Sequence, residues 1–408
     1  MDDPVYRALL SGVLCASLSF SSPGAWAAAA EGAELGGYYK DIFTTSRTVS
    51  NDKPYVSYLQ RARLDLAGKL SDTMSANVIY DHDLLLDDYS RTADFNLVRE
   101  NNQRSLAFWD THHVLLDERD IFWTQSLYRA YVRYESPALL CTMGKQDIDW
   151  SRMRFYHPFD LFNPVSPMSI EKDETMGVDA VTAELLPADF MSYDLIYAPD
   201  IDTDRQSFGL RFSGKIGDYD IFLMGADIRS DAVLGFAFDG YLKDSGLRGE
   251  YTYTFMNGRN SDAFIDTGQG DEFTDKRRDE RFSRASIGMD RSFTPKLYGV
   301  AEYFYNGGAK KIHAPLFFSS VKFNRTAFSV TKHIISTGLE YECTGVTKLN
   351  NYLFYDIEES SFCYNPEFVW NIVPNADLTV GCQIFKGGSV SEYGSYHNLF
   401  YAEMKLFF

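Results

Sequence analysis

Basic charge is scarce in this chain: 39 Lys and Arg stand against 57 Asp and Glu, for a formal net charge of −18. A nucleic-acid partner needs a basic footprint, so that class is excluded. Long apolar runs are missing too. After the N-terminal region no segment holds about 18 uninterrupted apolar residues, so no membrane-spanning helix is expected. Cysteine is sparse, and Cys141, Cys343, Cys363 and Cys382 show no C-x-x-C or C-x-x-C-H spacing, which leaves zinc, dithiol and covalent-haem sites without support. No G-x-S-x-G elbow, phosphate-binding P-loop or H-E-x-x-H occurs. The seven His are scattered, and the adjacent pair His112-His113 falls in a long loop. Neither an enzyme nor a cofactor is expected.

Aromatics are abundant: Tyr 27 and Phe 31 bring the aromatic share to 15%. Mean hydropathy is only −0.26. A soluble protein has such an average, and so does a membrane β-barrel, whose strands alternate apolar and polar residues. The segment RALLSGVLCASLSFSSPGAWAAAA (7–30) has one Arg, an apolar run and small residues, the layout of a secretory signal. Residues 1–28 are therefore expected to be removed on export, leaving 29–408 as one domain.

From residue 36 onward the chain reads as period-2 segments. In LFYAEMKLFF (399–408), Phe400, Ala402, Met404, Leu406 and Phe408 share one face, opposite Tyr401, Glu403 and Lys405. That split suits a strand with lipid on one side and water on the other. It recurs in YLQRARLDLAGKL (58–70), SLYRAYVRYE (126–135), FGLRFSGKI (208–216) and GLRGEYTYTF (246–255). The segments predict strands over 36–46, 54–70, 74–86, 122–136, 138–150, 177–187, 191–199, 205–217, 218–229, 232–242, 245–257, 280–293, 296–307, 333–344, 347–358, 361–373, 377–389 and 396–408. Short connections alternate with a series that contains every long one: 87–121, 151–176, 258–279 and 308–332. The expected fold is all-β: a transmembrane antiparallel up-and-down barrel of about 18 strands, with short periplasmic turns and long extracellular loops. An even strand count lets the first and last strands close the sheet.

Parity then sorts the side chains. Tyr128, Tyr134, Tyr303, Tyr305, Trp370, Phe400 and Phe408 fall on the lipid-facing side, several near strand ends, as an aromatic belt would. His82 and His333 suit the same belt. The water-facing side predicts a pore lined by Arg61, Arg63, Asp65, Asp81, Asp83, Arg129, Arg133, Arg211, Lys215, Arg248, Glu250, Arg284, Glu302, Glu340, Glu342, Glu367 and Glu403. Basic groups dominate the earlier strands and Glu the later ones, so two arcs of opposite sign are expected; ladders of solvated ion pairs are the plainer alternative. If strands 361–373 and 377–389 turn at Pro374-Asn375, Cys363 lies opposite about Lys386 and Cys382 opposite about Glu367, so no disulfide forms between them.

The stretch RFYHPFDLFNPVSP (154–167) packs four aromatics and three prolines into fourteen residues. Pro158, Pro164 and Pro167 cannot donate to a sheet ladder. Phe155, Phe159 and Phe162 need cover that an exposed loop lacks. A loop tucked into the barrel follows, with a short helical turn around Phe159–Phe162 and with Asp160 and Asn163 capping backbone. Phe155, His157, Pro158, Phe159, Asp160, Phe162, Asn163 and Pro164 would form a constriction. An outer loop contacting a partner or lipopolysaccharide is the alternative, and catalysis a remote third.

The C-terminal strand ending in Phe408 resembles the assembly signal of Gram-negative outer-membrane barrels. GKQDIDW (144–150), followed by FDLFNPVSP and EKDET, resembles the G-R-Q-x-x-x-W strand and Asn-Pro loop of porin-like barrels related to alginate-export channels, with Lys145 where Arg is usual. The resemblance implies outer-membrane location, without carrying over any relative's substrate; a barrel of about 18 strands is wide enough for water, so passive diffusion of small hydrophilic solutes is expected. A barrel sheathing or docking another protein, such as a periplasmic cytochrome, is the second option. Outer-membrane lipid, lipopolysaccharide and the solutes are the expected partners, with a second copy of the chain or that cytochrome as further options.

Overall fold

The computed structural model describes residues 33–86, 89–96, 108–118, 120–163, 166–171, 175, 177–200, 206–256, 281–309, 329–389 and 391–408. The expected leader and the loop 258–279 lie outside these residues, as does most of 308–332.

The strands are β1 (Ala33–Arg47), β2 (Pro54–Ser71), β3 (Met74–Leu86), β4 (His112–Glu118), β5 (Ile121–Ser136), β6 (Leu139–Gln146), β7 (Val178–Ala188), β8 (Met191–Ala198), β9 (Ser207–Ile216) and β10 (Tyr219–Ile228). They continue as β11 (Asp231–Leu242), β12 (Ser245–Phe255), β13 (Arg281–Thr294), β14 (Leu297–Asn306), β15 (His333–Thr344), β16 (Thr347–Asp356), β17 (Ser361–Val373), β18 (Ala376–Lys386) and β19 (Leu399–Phe407). Each pairs antiparallel with its neighbour, except that β3 pairs with β5, and β1 pairs with β19. The sheet is thus a closed 18-strand barrel with β4 as one extra strand. Closure leaves the eighteen barrel strands without an open edge, as a bilayer requires.

Alternation places apolar residues outside. Leu64 and Leu66 of β2, Leu234 and Phe236 of β11, Leu339 of β15 and Phe400 of β19 are all exposed. Arg63, Asp81, Arg211, Glu250, Arg284 and Glu302 sit on the opposite face, covered within the lumen.

Four departures from the sequence pattern have local causes. First, β4 lies inside the expected loop 87–121 and pairs along the upper part of β5. His112 and His113 are therefore strand neighbours, not loop residues. Second, the β3–β5 register slips between Ile79 and Tyr80, where β5 carries an extra residue at Tyr128. A bulge rotates the bulged side chain. Tyr128 leaves the lipid-facing set, and its ring lies 3.7 Å under the Arg63 guanidinium. Third, a slip between Asn371 and Val373 sets Cys363 opposite Phe385 rather than Lys386, and Gly381 rather than Cys382 opposite Glu367; Cys382 pairs with Phe400 instead. Cys141, Cys343, Cys363 and Cys382, the cysteines among the described residues, are all free. Fourth, β6 stops at Gln146 rather than 150, and β18 stops at Lys386 rather than 389, because both following segments turn into the lumen.

Candidate functional site

Beyond Gln146 the described residues of the chain turn into the barrel. Ile148, Trp150, Phe159, Leu161 and Phe162 pack with Val178, Ile196, Phe222, Met224 and Val233 from the β7–β11 wall. Phe155 and Tyr156 pack with Val300, Phe304, Ile334, Phe354 and Phe385 from the β14–β18 wall. The loop therefore crosses the lumen from one wall to the other. Phe159 is 0% exposed. The Tyr156 ring stacks on Phe304 at 4.5 Å, and Phe155 meets Tyr352 and Phe354 edge-on. Aromatic pairs in these arrangements add roughly 0.5–1.5 kcal/mol each beyond area burial.

Two wall carboxylates hold the loop's backbone. Glu250 accepts from the Ser151 hydroxyl at 2.7 Å, the Arg152 amide, and the Phe159 amide at 2.9 Å. Glu302 accepts from the Arg154 amide at 2.6 Å and the Phe155 amide at 3.0 Å. Ser286 donates to the Tyr156 carbonyl at 3.0 Å. A loop without secondary structure leaves its amides unpaired, and these side chains supply the missing acceptors. The return limb is held by charge. Glu171 bridges Lys40 at 2.5 Å and Arg61 at 2.7 Å, and Arg129 lies 3.2 Å from Asp147 while donating to Thr175 at 2.8 Å.

Within the loop, a turn runs from the His157 carbonyl to the Asp160 amide at 3.1 Å, so the expected helical turn at Phe159–Phe162 is replaced by a tighter one ending at Asp160. Pro158 is buried at this turn. Asp160 accepts from the Asn163 amide at 3.1 Å, and the Asn163 side chain reaches Asp147 at 3.1 Å. Burial, with Asp149 nearby, raises the Asp160 carboxyl well above its ordinary range. Burial likewise lowers the His157 imidazole. Pro164 lies outside the described residues.

The other lumen side chains fall into pairs. Arg61 bonds Asp83 at 2.6 Å, Arg63 bonds Asp81 at 2.6 Å, Arg211 bonds Asp194 at 3.0 Å, and Arg248 bonds Asp290. The expected basic arc is therefore interleaved with carboxylates from neighbouring strands. Asp65 accepts from Asn77, Glu340 from Arg154, and Glu367 from Tyr401. Arg284 is 1% exposed and donates to Asn306, so it faces the lumen but is covered. Lys215 is exposed above the Phe190 ring, Arg133 donates to Thr142 at 3.3 Å, Glu342 pairs in register with Lys348, and Glu403 with Ile42. Beside the loop a cavity of about 200 Å³ is lined by Arg133, Thr142, Gln146, Trp150, Asp194 and Arg211. Among the described residues no group of three His, Cys, Asp or Glu side chains could hold a metal ion.

Sequence reasoning missed a second inward segment, 387–398, which it read as strand ends around a short connection. Tyr393 is fully buried against the β14–β18 wall, and its hydroxyl lies 3.0 Å from that of Tyr156. Glu392 accepts from the Val330 amide at 2.7 Å and the Thr331 amide at 3.3 Å. Burial, then the neighbouring Asp356, pushes the Glu392 carboxyl up to about 8 from an ordinary 4.5. A raised folded-state pKa means that the protonated form fits the folded loop better. The stabilisation is full below about pH 4.5 and is lost as pH rises to about 8. Protease cleavage within 387–398 is expected to be faster at pH 9 than at pH 5, and Glu392→Gln should flatten that difference. Equal cleavage at both pH values in the unaltered protein would refute it.

Comparison with known proteins gives fold likeness only. OccAB1 of Acinetobacter baumannii superposes with TM-score 0.58 at 9% identity, over 92% of this chain and 96% of that one. A double variant of OccD1 (OprD) gives 0.54 at 9% identity over 93% and 96%, and OccAB2 of Acinetobacter baumannii gives 0.54 at 7% over 92% and 98%. These are outer-membrane porins, and the chain has the porin barrel fold. No protein-family profile matches it, and no curated protein matches its sequence.

Proposed function

We propose that this chain is an outer-membrane channel of the porin type through which small hydrophilic solutes diffuse passively, with the loop between β6 and β7 as its constriction. The observation that carries the reading is that loop: it is pinned to opposite walls inside a closed barrel whose exterior is apolar. A barrel of 16–18 strands is wide enough for water unless something fills it. Here the filling is a fixed segment flanked by a polar cavity, which suits a narrowed path. The short turns face the periplasm in this reading and the long loops face outward. A sheath for a periplasmic cytochrome finds no support, because the loop stands where a protein partner would pass. No catalytic role is proposed.

Outer-membrane fractionation and heat-modifiable gel migration test the class; a soluble product would end it. Conductance and reversal potential in planar bilayers test the function. Because most lumen arginines have carboxylate partners, only mild charge selectivity is expected. Arg129 is tied to Asp147 and Thr175, so Arg133 is the cleaner probe. Arg133→Glu should move the reversal potential toward cation preference. An unchanged reversal potential would remove Arg133 from the conducting path.

A further inference from the structure

The two holds on the β6–β7 loop differ in kind. On the β7–β11 side, Ile148, Trp150, Phe159, Leu161 and Phe162 rest on strand residues. On the β14–β18 side, Phe155, Tyr156 and Met168 rest partly on the other inward segment, through Tyr393 and Tyr396 of 387–398. The face of Tyr156 stacks on Phe304, and its hydroxyl lies 3.0 Å from that of Tyr393. Tyr156 is 3% exposed and Tyr393 0%. Among the described residues each hydroxyl has only the other as its hydrogen-bond partner. Parting the two segments would strand both hydroxyls in an apolar cluster, so the pair couples their positions.

Segment 387–398 can leave its place without opening the barrel. β18 ends at Lys386, β19 begins at Leu399, and Gln383 already pairs with Leu399, so the segment contributes nothing to the ladder. Its holds include the Glu392 carboxylate on the Val330 and Thr331 amides, the Tyr393 amide on the Ser361 hydroxyl at 3.3 Å, and the Tyr396 ring stacked on Phe385 at 5.1 Å. Close to the start of the segment, Gln383 donates to the Met168 carbonyl at 2.8 Å, which brings the loop's return limb to the same place.

We propose that 387–398 is a strap that regulates the constriction: Tyr393 positions Tyr156 and, through it, the β14–β18 half of the loop, so that release of the strap frees that half alone. A partly open pore results, because Phe159 still holds the other half against Gly235. The inference rests on the reading of this loop as the constriction.

Single-channel recording of the full-length protein tests it. Tyr393→Phe and Tyr156→Phe each keep the ring and strand the other residue's hydroxyl. Each should visit one intermediate conductance level about tenfold more often than the parent. The double variant Tyr156→Phe/Tyr393→Phe strands nothing and should return toward the parent's frequency, a rescue that lost packing would not give. Single variants with the parent's trace, or a double variant worse than either single, would overturn the strap. The variant lacking 148–176 separates the two readings. If it conducts more while the single variants stay quiet, the strap fails and the constriction stands; if it conducts like the parent, both fail. Thiol labelling locates the freed half. A water-soluble methanethiosulfonate should modify Met168→Cys about tenfold faster when Tyr393→Phe is also present, and Leu161→Cys no faster. Equal acceleration at both positions, or at neither, would also overturn the proposal.

Discussion

Replacing residues 148–176 by a short Gly-Ser linker should raise single-channel conductance severalfold while the barrel still assembles. Assembly survives because the loop's two ends are already neighbours: Gln146 pairs with Val178 across β6 and β7, so a tight hairpin can join them. The ladder that closes the barrel includes no residue of the loop. Conductance rises because the removed segment reaches from the β7–β11 wall to the β14–β18 wall. Its removal bares Phe222, Met224, Phe304 and Phe354 to water. A lowered temperature for the heat-modifiable transition is therefore expected too. Planar-bilayer recordings decide the matter: a shortened barrel that folds but conducts like the parent would sink the constriction reading. Segment 387–398 remains in place in this variant, so the opening need not be complete.

The strands were legible because lipid and water impose opposite demands on alternate residues, and that alternation survives in the sequence. What broke the pattern was not legible, for physical reasons. β4 is exposed along its whole length, so HHVLLDE carries no buried stripe to mark it. The bulge at Tyr128 leaves alternation intact on both sides and only flips its phase. The segment GGSVSEYGSYHN (387–398) is small and polar, and its large buried anchor, Tyr393, reads as ordinary belt material. The tucked loop was visible in its unsheltered phenylalanines. Its anchors were not: a carboxylate on lumen parity reads as pore charge, and only the loop amides around Glu250 and Glu302 show what it does. A signal was nevertheless present. Gly209 and Gly235 lie on lumen parity inside strands, where glycine weakens the strand unless something approaches closely. A Cβ at Gly209 would meet Trp150 at 2.9 Å, and one at Gly235 would meet Phe159 at 2.8 Å.

Phe159→Ala should loosen the loop more than any other single truncation in it. The ring is fully buried on the β7–β11 wall, over the bare backbone of Gly235, and its amide is fixed by Glu250 at 2.9 Å. Truncating a buried Phe costs about 3–5 kcal/mol in a protein core. Here that cost falls on docking of the loop rather than on the barrel, because the strand ladder does not contain Phe159. The expected result is a folded channel with frequent large-amplitude openings, and proteolysis between β6 and β7 that the parent resists. Gly235→Leu attacks the same contact from the wall side. Its side chain would take the space of the Phe159 ring, so it should reproduce the openings without altering the loop sequence. Glu250→Ala should give a milder version, since it strands buried amides at roughly 1–3 kcal/mol rather than emptying the seat. If Phe159→Ala and Gly235→Leu both leave the current trace quiet, the loop is held elsewhere, and the assignment of its anchor to the Gly235 seat fails.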